Sequence, residues 1–519
     1  MTTPPPPGAS TILAALVVLV LSALAAAYLL RREPRTWPVI AALAMLSFGF
    51  ALAYNQFLPD DSYITYRYAW NLLHGNGLVY NPGEYVLSTT TPLYTLLLAA
   101  AGLVWPDLPV TSHILSLPAL FAGALVLYLL LARHGKPVAG SLLAALYILN
   151  PLTAAVYSSE SILHVALIFG AFYAYDQDYL EWAAALSALA VLTRGDGALI
   201  PIALGLCWLA ARRWRADWRR PLRALAIYAA ISVPWYLFSW IYYGDLAPAT
   251  MSAKIAQGEL PGAQLFMEGF GVWWMSYSAH SPGYWLLLPL ALLGLLLTFP
   301  RGGDRWAWPT LLWAGLYTAG YTALGVTRYQ NYYTPLAPVL ILLAMLGAHW
   351  LGLAVAQFVT RRAPVPPPGA AAWRQARIAG VVMLLLAIGI GIGFVTTGAR
   401  LYPTLPQARA VIYQQIGEWL RANTPPDASV GMLEVGTMGY YADRRVIDFY
   451  GLIQPDVSEH MAHNDLAWSM QHYKPDYIAI HRETWAPTYD PWFDANYQPV
   501  QTFEYARCAC SPMVVYARK

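Results

Sequence analysis

Long apolar runs separated by short polar loops fill about the first 400 residues of the chain. A membrane-spanning helix needs roughly 17–25 mostly apolar residues to cross the hydrocarbon core of a bilayer. About twelve runs meet or approach this length, at 11–30, 37–58, 110–132, 138–156, 160–176, 181–194, 197–211, 222–243, 283–299, 306–326, 333–355 and 378–397. The pattern therefore predicts a polytopic α-helical membrane protein with about twelve spans.

The apolar stretch from Thr91 to Trp105 breaks the alternation of the loops if it is counted as a span. We predict instead a helix in the outer leaflet that begins at Pro92, because proline is favoured in a first helical turn. The first outer loop then covers about 59–109.

No small-residue cleavage site precedes RREPR, so the opening run is predicted to be a retained span rather than a signal peptide.

Basic residues in the short loops indicate the orientation, because cytoplasmic loops carry the excess of Arg and Lys. One set of loops holds the basic clusters: Arg31, Arg32 and Arg35; Arg133 and Lys136; RRWRADWRRPLR from Arg212; Arg301 and Arg305; and 361–377. The alternate loops hold only isolated cations, namely Arg67, Arg194, Lys254 and Arg328. We therefore predict that the first set is cytoplasmic and that the second faces outside.

The pattern changes near residue 400 to that of a folded domain. Ile412, Ile416 and Leu420 repeat at helical spacing. Five runs typical of strands follow, namely SVGMLEVG, RRVIDFYG, DYIAIH, VQTFEYA and MVVYAR. We expect a transmembrane module over 1–399 and an α/β domain over 400–519, which the parity of the spans places outside the membrane.

The composition agrees with a membrane protein and excludes two other classes. Hydrophobic residues make up 58% of the chain and charged residues 11%, whereas soluble proteins carry about 25% charged residues. The net charge of +3 comes from separate loops rather than from one basic face, so nucleic acid is not an expected partner. The three cysteines match neither a zinc site nor a thioredoxin-type motif.

Acidic residues near the spans collect at their outer ends, at Asp60, Asp61, Glu160, Asp196 and Asp245. Avoidance of the membrane core explains part of this pattern. Simpler interpretations exist for most of these acidic residues: helix capping for Asp60 or Asp61, a solvated turn for Glu160 and a salt bridge to Arg194 for Asp196. The cations Lys254 and Arg328 could contact lipid headgroups. The isolated histidines His74, His164 and His280 are expected to have structural roles.

Carboxylates and cations at one membrane face suit a reaction between a lipid phosphate and a hydroxyl. Arg or Lys at headgroup depth would hold the phosphate and stabilise its charge as it leaves. A phosphate leaves without protonation, so a single base that accepts the proton of the hydroxyl is sufficient. A glycoside hydrolase, in contrast, typically needs an acid as well.

Six segments resemble the membrane-embedded C-type (GT-C) glycosyltransferases, particularly the branch that includes bacterial terminal arabinofuranosyltransferases. In chain order they are DDSYITYRYAWNLLHGNGLVYNPGE, YSSESILH, LTRGDGALI, YYGDLAPATMSAKIAQG, RYQNYYTPLAPVL and EWLRANTPPDASVGMLEVGTMGYYADRRVIDFYGL. The resemblance implies a GT-C-like fold with juxtamembrane helices in the first outer loop. It also implies a polyprenyl-phosphate-sugar-dependent glycosyltransferase of the bacterial cytoplasmic membrane, with glycan or glycolipid acceptors and membrane lipids as partners.

The resemblance assigns roles to individual residues. Asp60 is implied as the base, and Asp61 as its support or as a ligand, with Asp60, of a divalent cation such as Mg²⁺, Mn²⁺ or Ca²⁺; no other cofactor is expected. The remaining residues fall into a cavity or support group of Tyr63, Arg67, Glu84, Glu160 and Asp196 and a donor-phosphate group of Arg194, Lys254 and Arg328.

Two departures leave the sugar and the acceptor open. YVLSTTTPLY stands where the branch usually has Gly-Tyr-(Thr/Ser)-Asn-Pro, and TRGDG replaces Pro-Glu of the usual element by Gly-Asp. The sugar is therefore a pentose such as arabinofuranose, or a hexose. Two other classes remain as alternatives: a transporter or flippase of a lipid-linked glycan, which predicts internal repeats and charges at mid-membrane, and an outer assembly domain on a passive anchor.

Overall fold

The computed structural model describes residues 16–24 (without 18 and 23), 36–54, 58–211, 217–298, 305–361, 370–402, 408–504 and 511–519. Predictions that concern the basic cluster at 31–35, the first five residues of RRWRADWRRPLR, Arg301, the connector at 362–369, Cys508 and Cys510 lie outside these residues. Helices dominate the described part of the chain, and one five-stranded sheet lies near its C-terminal end.

Seventeen helices of the described residues precede the sheet region. They are α1 Trp37–Ala53, α2 Asp60–Leu73, α3 Pro92–Gly102, α4 Leu108–Arg133, α5 Pro137–Leu149, α6 Pro151–Ala155, α7 Glu160–Asp176, α8 Leu180–Thr193, α9 Leu199–Ala210, α10 Arg219–Tyr243, α11 Ala249–Glu259, α12 Phe266–His280, α13 Leu287–Thr298, α14 Trp308–Leu324, α15 Gln330–Tyr333, α16 Ala337–Thr360 and α17 Ala370–Leu401. Short 3₁₀ turns, such as Gly195–Ala198 between α8 and α9, connect several of them.

Within the described ranges, five helical segments are long and apolar enough to cross a membrane, namely Leu108–Arg133, Pro137–Ala155, Arg219–Tyr243, Gln330–Thr360 and Ala371–Leu401. Five further apolar helices are shorter. These features are those of a multi-pass membrane protein, while the number of about twelve spans stays a prediction. Helix α3 begins at Pro92, as predicted, and its 11 residues are too few to cross a bilayer.

Small residues allow close crossings in the helical core. A Cβ atom added to Gly294 of α13 would overlap the Leu343 carbonyl of α16, and one added to Gly347 of α16 would overlap the Leu290 carbonyl of α13. Small residues let helix backbones approach closely. This packing stabilises helix pairs in lipid, where the hydrophobic effect does not drive helices together.

The C-terminal region contains all five predicted strands and the predicted helix. Its elements are α18 Ala408–Asn423, β1 Ser429–Met432, α19 Thr437–Ala442, β2 Arg445–Asp448, α20 Pro455–Ala462, α21 Trp468–Tyr473, β3 Tyr477–Ile480, α22 Pro491–Asn496, β4 Tyr497–Phe503 and β5 Met513–Arg518. The strand order is β2-β1-β3-β5-β4. β1 runs parallel to β2 and β3, and β5 is antiparallel to β3 and β4.

The apolar stripe of α18 packs onto this sheet. Ile412, Ile416 and Leu420 are buried together with Val430 and Met432 of β1. Tyr68 of α2 and other residues of the first outer loop belong to the same apolar cluster. The C-terminal region, called the C-terminal domain below, is therefore packed against the loop that carries the two adjacent aspartates.

Candidate active site

The two aspartates occupy the first two positions of α2, directly after the extended Pro59. Negative charge is favourable at this end of a helix because the backbone N–H groups point towards it. The N-cap position is occupied by Pro59, which supplies no side-chain capping hydrogen bond. Asp60 instead accepts a hydrogen bond from the backbone N–H of Thr437, with its Oδ1 at 2.8 Å.

Asp60 and Asp61 lie in different surroundings. Asp60 is half-buried, whereas Asp61 is exposed. Burial raises the pKa of Asp60 above its ordinary value, the nearby charge of Asp61 raises this pKa further, and the hydrogen bonds from Thr437 lower it. The raised pKa makes the Asp60 carboxylate a stronger proton acceptor than an ordinary aspartate.

Both aspartates line a cavity of about 440 Å³. Glu160 and Asn331 stand beside them in its wall, and Trp273 and Tyr402 line a more apolar part. A cavity with carboxylates beside aromatic side chains can hold a molecule that has a polar group on an apolar tail.

A smaller cavity of about 70 Å³ adjoins the first. Asp61, Glu160, Tyr329 and Asn331 line both cavities. The smaller one is also lined by hydroxyl-bearing residues, by one cation and by two apolar residues: Thr65, Ser88, Thr89, Thr90, Thr91 and Thr250; Lys254; and Ile64 and Leu452.

Lys254 is positioned by α11 and by aromatic rings. Its Nζ lies 4.7 Å from the ring centroid of Tyr329 and 5.3 Å from that of Tyr332. Ring faces attract a cation and hold it in place without neutralising its charge. Lys254 thus presents a positive charge in the wall of the smaller cavity.

A buried charge network lies behind Glu160. Arg194 Nη1 is 3.3 Å from Glu160 Oε1, and Arg194 Nη2 is 2.8 Å from Asp196 Oδ2. His164 Nε2 lies 2.8 Å from Asp196 Oδ1, and the Tyr321 hydroxyl donates to Asp196 Oδ2 at 2.6 Å. The salt bridge predicted between Arg194 and Asp196 is confirmed.

This network corrects two interpretations made from the sequence. The solvated turn considered for Glu160 is wrong, because the residue is buried and paired with Arg194. His164 is not isolated, since it is fully buried against Asp196. Arg194 and Asp196 line neither of the two cavities, so their assigned contacts with donor or acceptor stay predictions.

Arg328 and three residues of the first outer loop lie outside the walls of these two cavities. The Arg328 guanidinium is 5.5 Å from the ring centroid of Trp273, which does line the larger cavity. Tyr63 packs against Tyr440 and Tyr441 of α19. Arg67 and Glu84 bind the C-terminal domain rather than facing the cavities.

The sequence analysis did not single out Glu434, Thr250 or Asn331. Burial and the charge of Asp60 raise the pKa of Glu434 to about 7. Glu434 is the one charged residue in the strand-like run SVGMLEVG, which was an available signal. Thr250 and Asn331 are uncharged, but they lie in two of the segments that carry the resemblance, YYGDLAPATMSAKIAQG and RYQNYYTPLAPVL, which was an available signal.

The described residues contain no group of three or more His, Cys, Asp or Glu side chains placed to hold a metal ion. Asp60 and Asp61 supply two carboxylates at most. Mg²⁺ is commonly bound by one or two carboxylates together with substrate phosphate oxygens and waters. The pair fits a divalent cation only as part of such a shared site, and the metal role of Asp60 and Asp61 stays a prediction.

Comparisons with known proteins agree with the resemblance found in the sequence. Residues 404–516 match a family described as a domain of unknown function, DUF8728. Over 304 residues the chain is 30% identical to the terminal β-(1→2)-arabinofuranosyltransferase of Mycobacterium tuberculosis. This match covers 53% of the chain and 46% of the relative, so it spans about half the length of each protein.

Solved structures of ArnT from Cupriavidus metallidurans have a similar fold. The structure with bound undecaprenyl phosphate matches with a TM-score of 0.56 at 13% identity and covers 92% of this chain and 97% of that one. The apo structure matches with a TM-score of 0.54 at 14% identity. The chain thus resembles the terminal arabinofuranosyltransferase-like branch of the GT-C glycosyltransferases in sequence and ArnT in fold.

Proposed function

We propose that the protein transfers a sugar from a polyprenyl-phosphate-linked donor to a hydroxyl group at the outer face of the bacterial cytoplasmic membrane. The main support for this proposal is the placement of Asp60 and Lys254 relative to each other. The half-buried carboxylate of Asp60 and the cation of Lys254 line two adjoining cavities that share four wall residues. A proton acceptor and a phosphate partner thereby lie on either side of one reaction space.

Asp60 acts as the general base in this proposal. It accepts the proton of the acceptor hydroxyl while the hydroxyl oxygen forms a bond to the anomeric carbon of the sugar. Its raised pKa suits this role, because a base is most effective when its pKa lies near the working pH. Asp61 and Glu160 then contact hydroxyl groups of the bound sugars.

Lys254 stabilises the leaving group. The bond between the anomeric carbon and the phosphate oxygen breaks, and polyprenyl phosphate leaves with the bonding electron pair. An ammonium group at that position stabilises the developing charge with charge-assisted hydrogen bonds. The apolar part of the larger cavity, near Trp273, suits the first isoprene units of the lipid.

The relatives support the chemical class of both substrates. The curated relative is named for arabinofuranosyl transfer, and one ArnT structure contains undecaprenyl phosphate. For this chain we propose a pentose such as arabinofuranose, or a hexose, and a glycan, lipid or protein acceptor. Asp60 and Asp61 would hold a divalent cation, which would supply positive charge beside the donor phosphate. Turnover that is unchanged after exhaustive chelation would remove the cation from the proposal.

The test is sugar transfer by purified protein in lipid, with a panel of polyprenyl-phosphate pentoses and hexoses. Asp60→Asn should abolish transfer while the protein still folds and binds undecaprenyl phosphate, because the amide cannot accept the proton. Asp245→Asn is the matched control, since Asp245 is an exposed carboxylate that lines neither cavity. Full activity of Asp60→Asn would exclude Asp60 as the base.

A further inference from the structure

The first outer loop holds the C-terminal domain through main-chain atoms of that domain. Arg67, on α2, is 5% exposed. Its guanidinium donates to the carbonyl oxygens of Gly439 and Arg444 in the domain and of Tyr80 in the loop. A buried arginine that satisfies three carbonyl groups fixes the two segments relative to each other.

Three neighbouring residues of the loop extend this contact. The Tyr80 hydroxyl donates to the Val435 carbonyl at 2.5 Å. Asn81 bonds both to the N–H and to the carbonyl of Val446, at 3.0 and 2.8 Å. At the rim, Glu84 Oε1 lies 2.6 Å from Arg445 Nε.

At the end of this contact nearest the cavities, the domain touches Asp60 itself. Thr437 N–H donates to Asp60 Oδ1 at 2.8 Å. The preceding Gly436 lies so close that an added Cβ atom would sit 2.5 Å from Asp60 Oδ2 and overlap the Asp60 carbonyl oxygen. The carboxylate is therefore held between α2 and the start of α19.

The same domain also reaches the helix that carries Lys254. Helix α20 packs against α11, and Leu452 lines the smaller cavity together with Lys254. Asp448 orders the turn that presents Leu452, because its carboxylate accepts the N–H groups of Tyr450, Leu452 and Ile453 at 2.7, 2.5 and 3.2 Å. One domain thus contacts the proposed base and the surroundings of the proposed phosphate partner.

We propose that the C-terminal domain is a positioning element of the catalytic site, in which Gly436 and the Thr437 N–H orient the Asp60 carboxylate towards the larger cavity. This inference rests on the proposed function. It assigns a role to a region whose matching family has no known function. Thr437 is a positioning residue, because it acts through Asp60 rather than on the substrates.

Two pairs of full-length variants test this role. Gly436→Ala introduces a methyl group against Asp60, whereas Gly431→Ala introduces one against Phe449 inside the same domain. Thr437→Pro removes the N–H at a first helical position, where proline is tolerated, whereas Thr437→Ala keeps it. The readouts are kcat for sugar transfer, the Kd for undecaprenyl phosphate and the apparent melting temperature in detergent.

We expect kcat to fall at least about tenfold in Gly436→Ala and Thr437→Pro relative to their partners, in line with loss of a hydrogen bond to a charged group. The Kd for undecaprenyl phosphate should change less than about twofold, because Lys254 is untouched. A purely structural role of the domain would lower kcat and melting temperature in parallel, in Gly431→Ala as well. If Gly436→Ala does not fold, the comparison of Thr437→Pro with Thr437→Ala tests the positioning role on its own.

The outcomes separate this inference from the proposed function. Equal kcat values within both pairs, in a wild-type protein that transfers sugar, would overturn the positioning role and leave the transferase intact. A wild-type protein that transfers sugar from no donor in the presence of acceptor would overturn the proposed function itself.

Discussion

Two opposing effects act on the pKa of Asp60, and the reactivity of its carboxylate depends on their balance. Burial and the neighbouring Asp61 raise its pKa, and the hydrogen bonds from Thr437 lower it. The carboxylate must be ionised to accept a proton. Activity should therefore be lost as the pH falls through the raised pKa, at a higher pH than for an ordinary aspartate.

The pH dependence of Asp61→Asn provides a signed prediction. Removing the Asp61 charge removes one cause of the raised pKa of Asp60, so the acidic limb of the kcat/KM profile should move to lower pH. Asp245→Asn should leave the limb in place. A limb that moves to higher pH, or does not move, would show that another group controls ionisation in this range.

Lys254 and Arg328 received the same predicted role, but their surroundings differ. Lys254 lines a cavity and Arg328 lies beside Trp273 outside the walls of both cavities. Lys254→Gln should raise the Kd for undecaprenyl phosphate at least about tenfold, the effect of losing one charge-assisted hydrogen bond. Arg328→Gln should change the Kd less than about twofold, and a tenfold effect there would assign the phosphate to Arg328 as well.

At the residue scale, sequence reasoning succeeded where partners are neighbours in the chain. Arg194 and Asp196 are two residues apart, so their salt bridge was predictable. Glu160 pairs with the same arginine from 34 residues away. The two partners of Arg67 in the C-terminal domain lie 372 and 377 residues away and are carbonyl oxygens, which no side-chain pattern reveals.

The crossing of α13 and α16 belongs to the element scale. Gly294→Val should lower the apparent melting temperature, because overpacking a well-packed contact typically costs about 1–3 kcal/mol. Gly320→Val in α14 is the control, since an added Cβ there meets nothing within 4 Å. Equal melting temperatures for the two variants would contradict a tight crossing.

Element prediction worked best for segments with a clear period or a marked beginning. Pro92 marked the start of α3, and all five strands were found from short apolar runs. Helix α12 was missed, because its 15 residues are fewer than a span needs and Glu268 and Ser276 interrupt the apolar run. This omission concealed Trp273, which lines the larger cavity.

At the scale of the whole molecule, the predicted orientation can be measured with single cysteines. After Cys207, Cys508 and Cys510 are replaced by serine, Val500→Cys and Trp218→Cys offer exposed positions in the C-terminal domain and in a basic loop. A membrane-impermeant thiol reagent should label position 500 in intact cells and position 218 only after permeabilisation. Labelling in the opposite order would invert the predicted topology.

The general architecture was predictable because hydrophobic length and helical or strand periods are local properties of the chain. The contact between the C-terminal domain and the first outer loop was not, because it depends on how two regions more than 350 residues apart fold against each other. The sequence therefore predicted that Asp60 lies at the outer membrane face but could not indicate which contacts hold its side chain.

The side chains of Asp60, Arg67, Tyr80 and Asn81 all bond to main-chain atoms of the C-terminal domain. A main-chain atom is present whichever amino acid occupies the position, whereas each of these four side chains supplies a group that few others can replace. Saturation mutagenesis should therefore find these four loop positions intolerant. The opposing positions of the domain should be limited instead by packing within the domain and, at Gly436 and Gly439, by the space that an added Cβ atom needs. The surface of the domain that faces away from the loop takes no part in these four contacts, so substitutions there would leave unchanged the side chains that hold the proposed base in place.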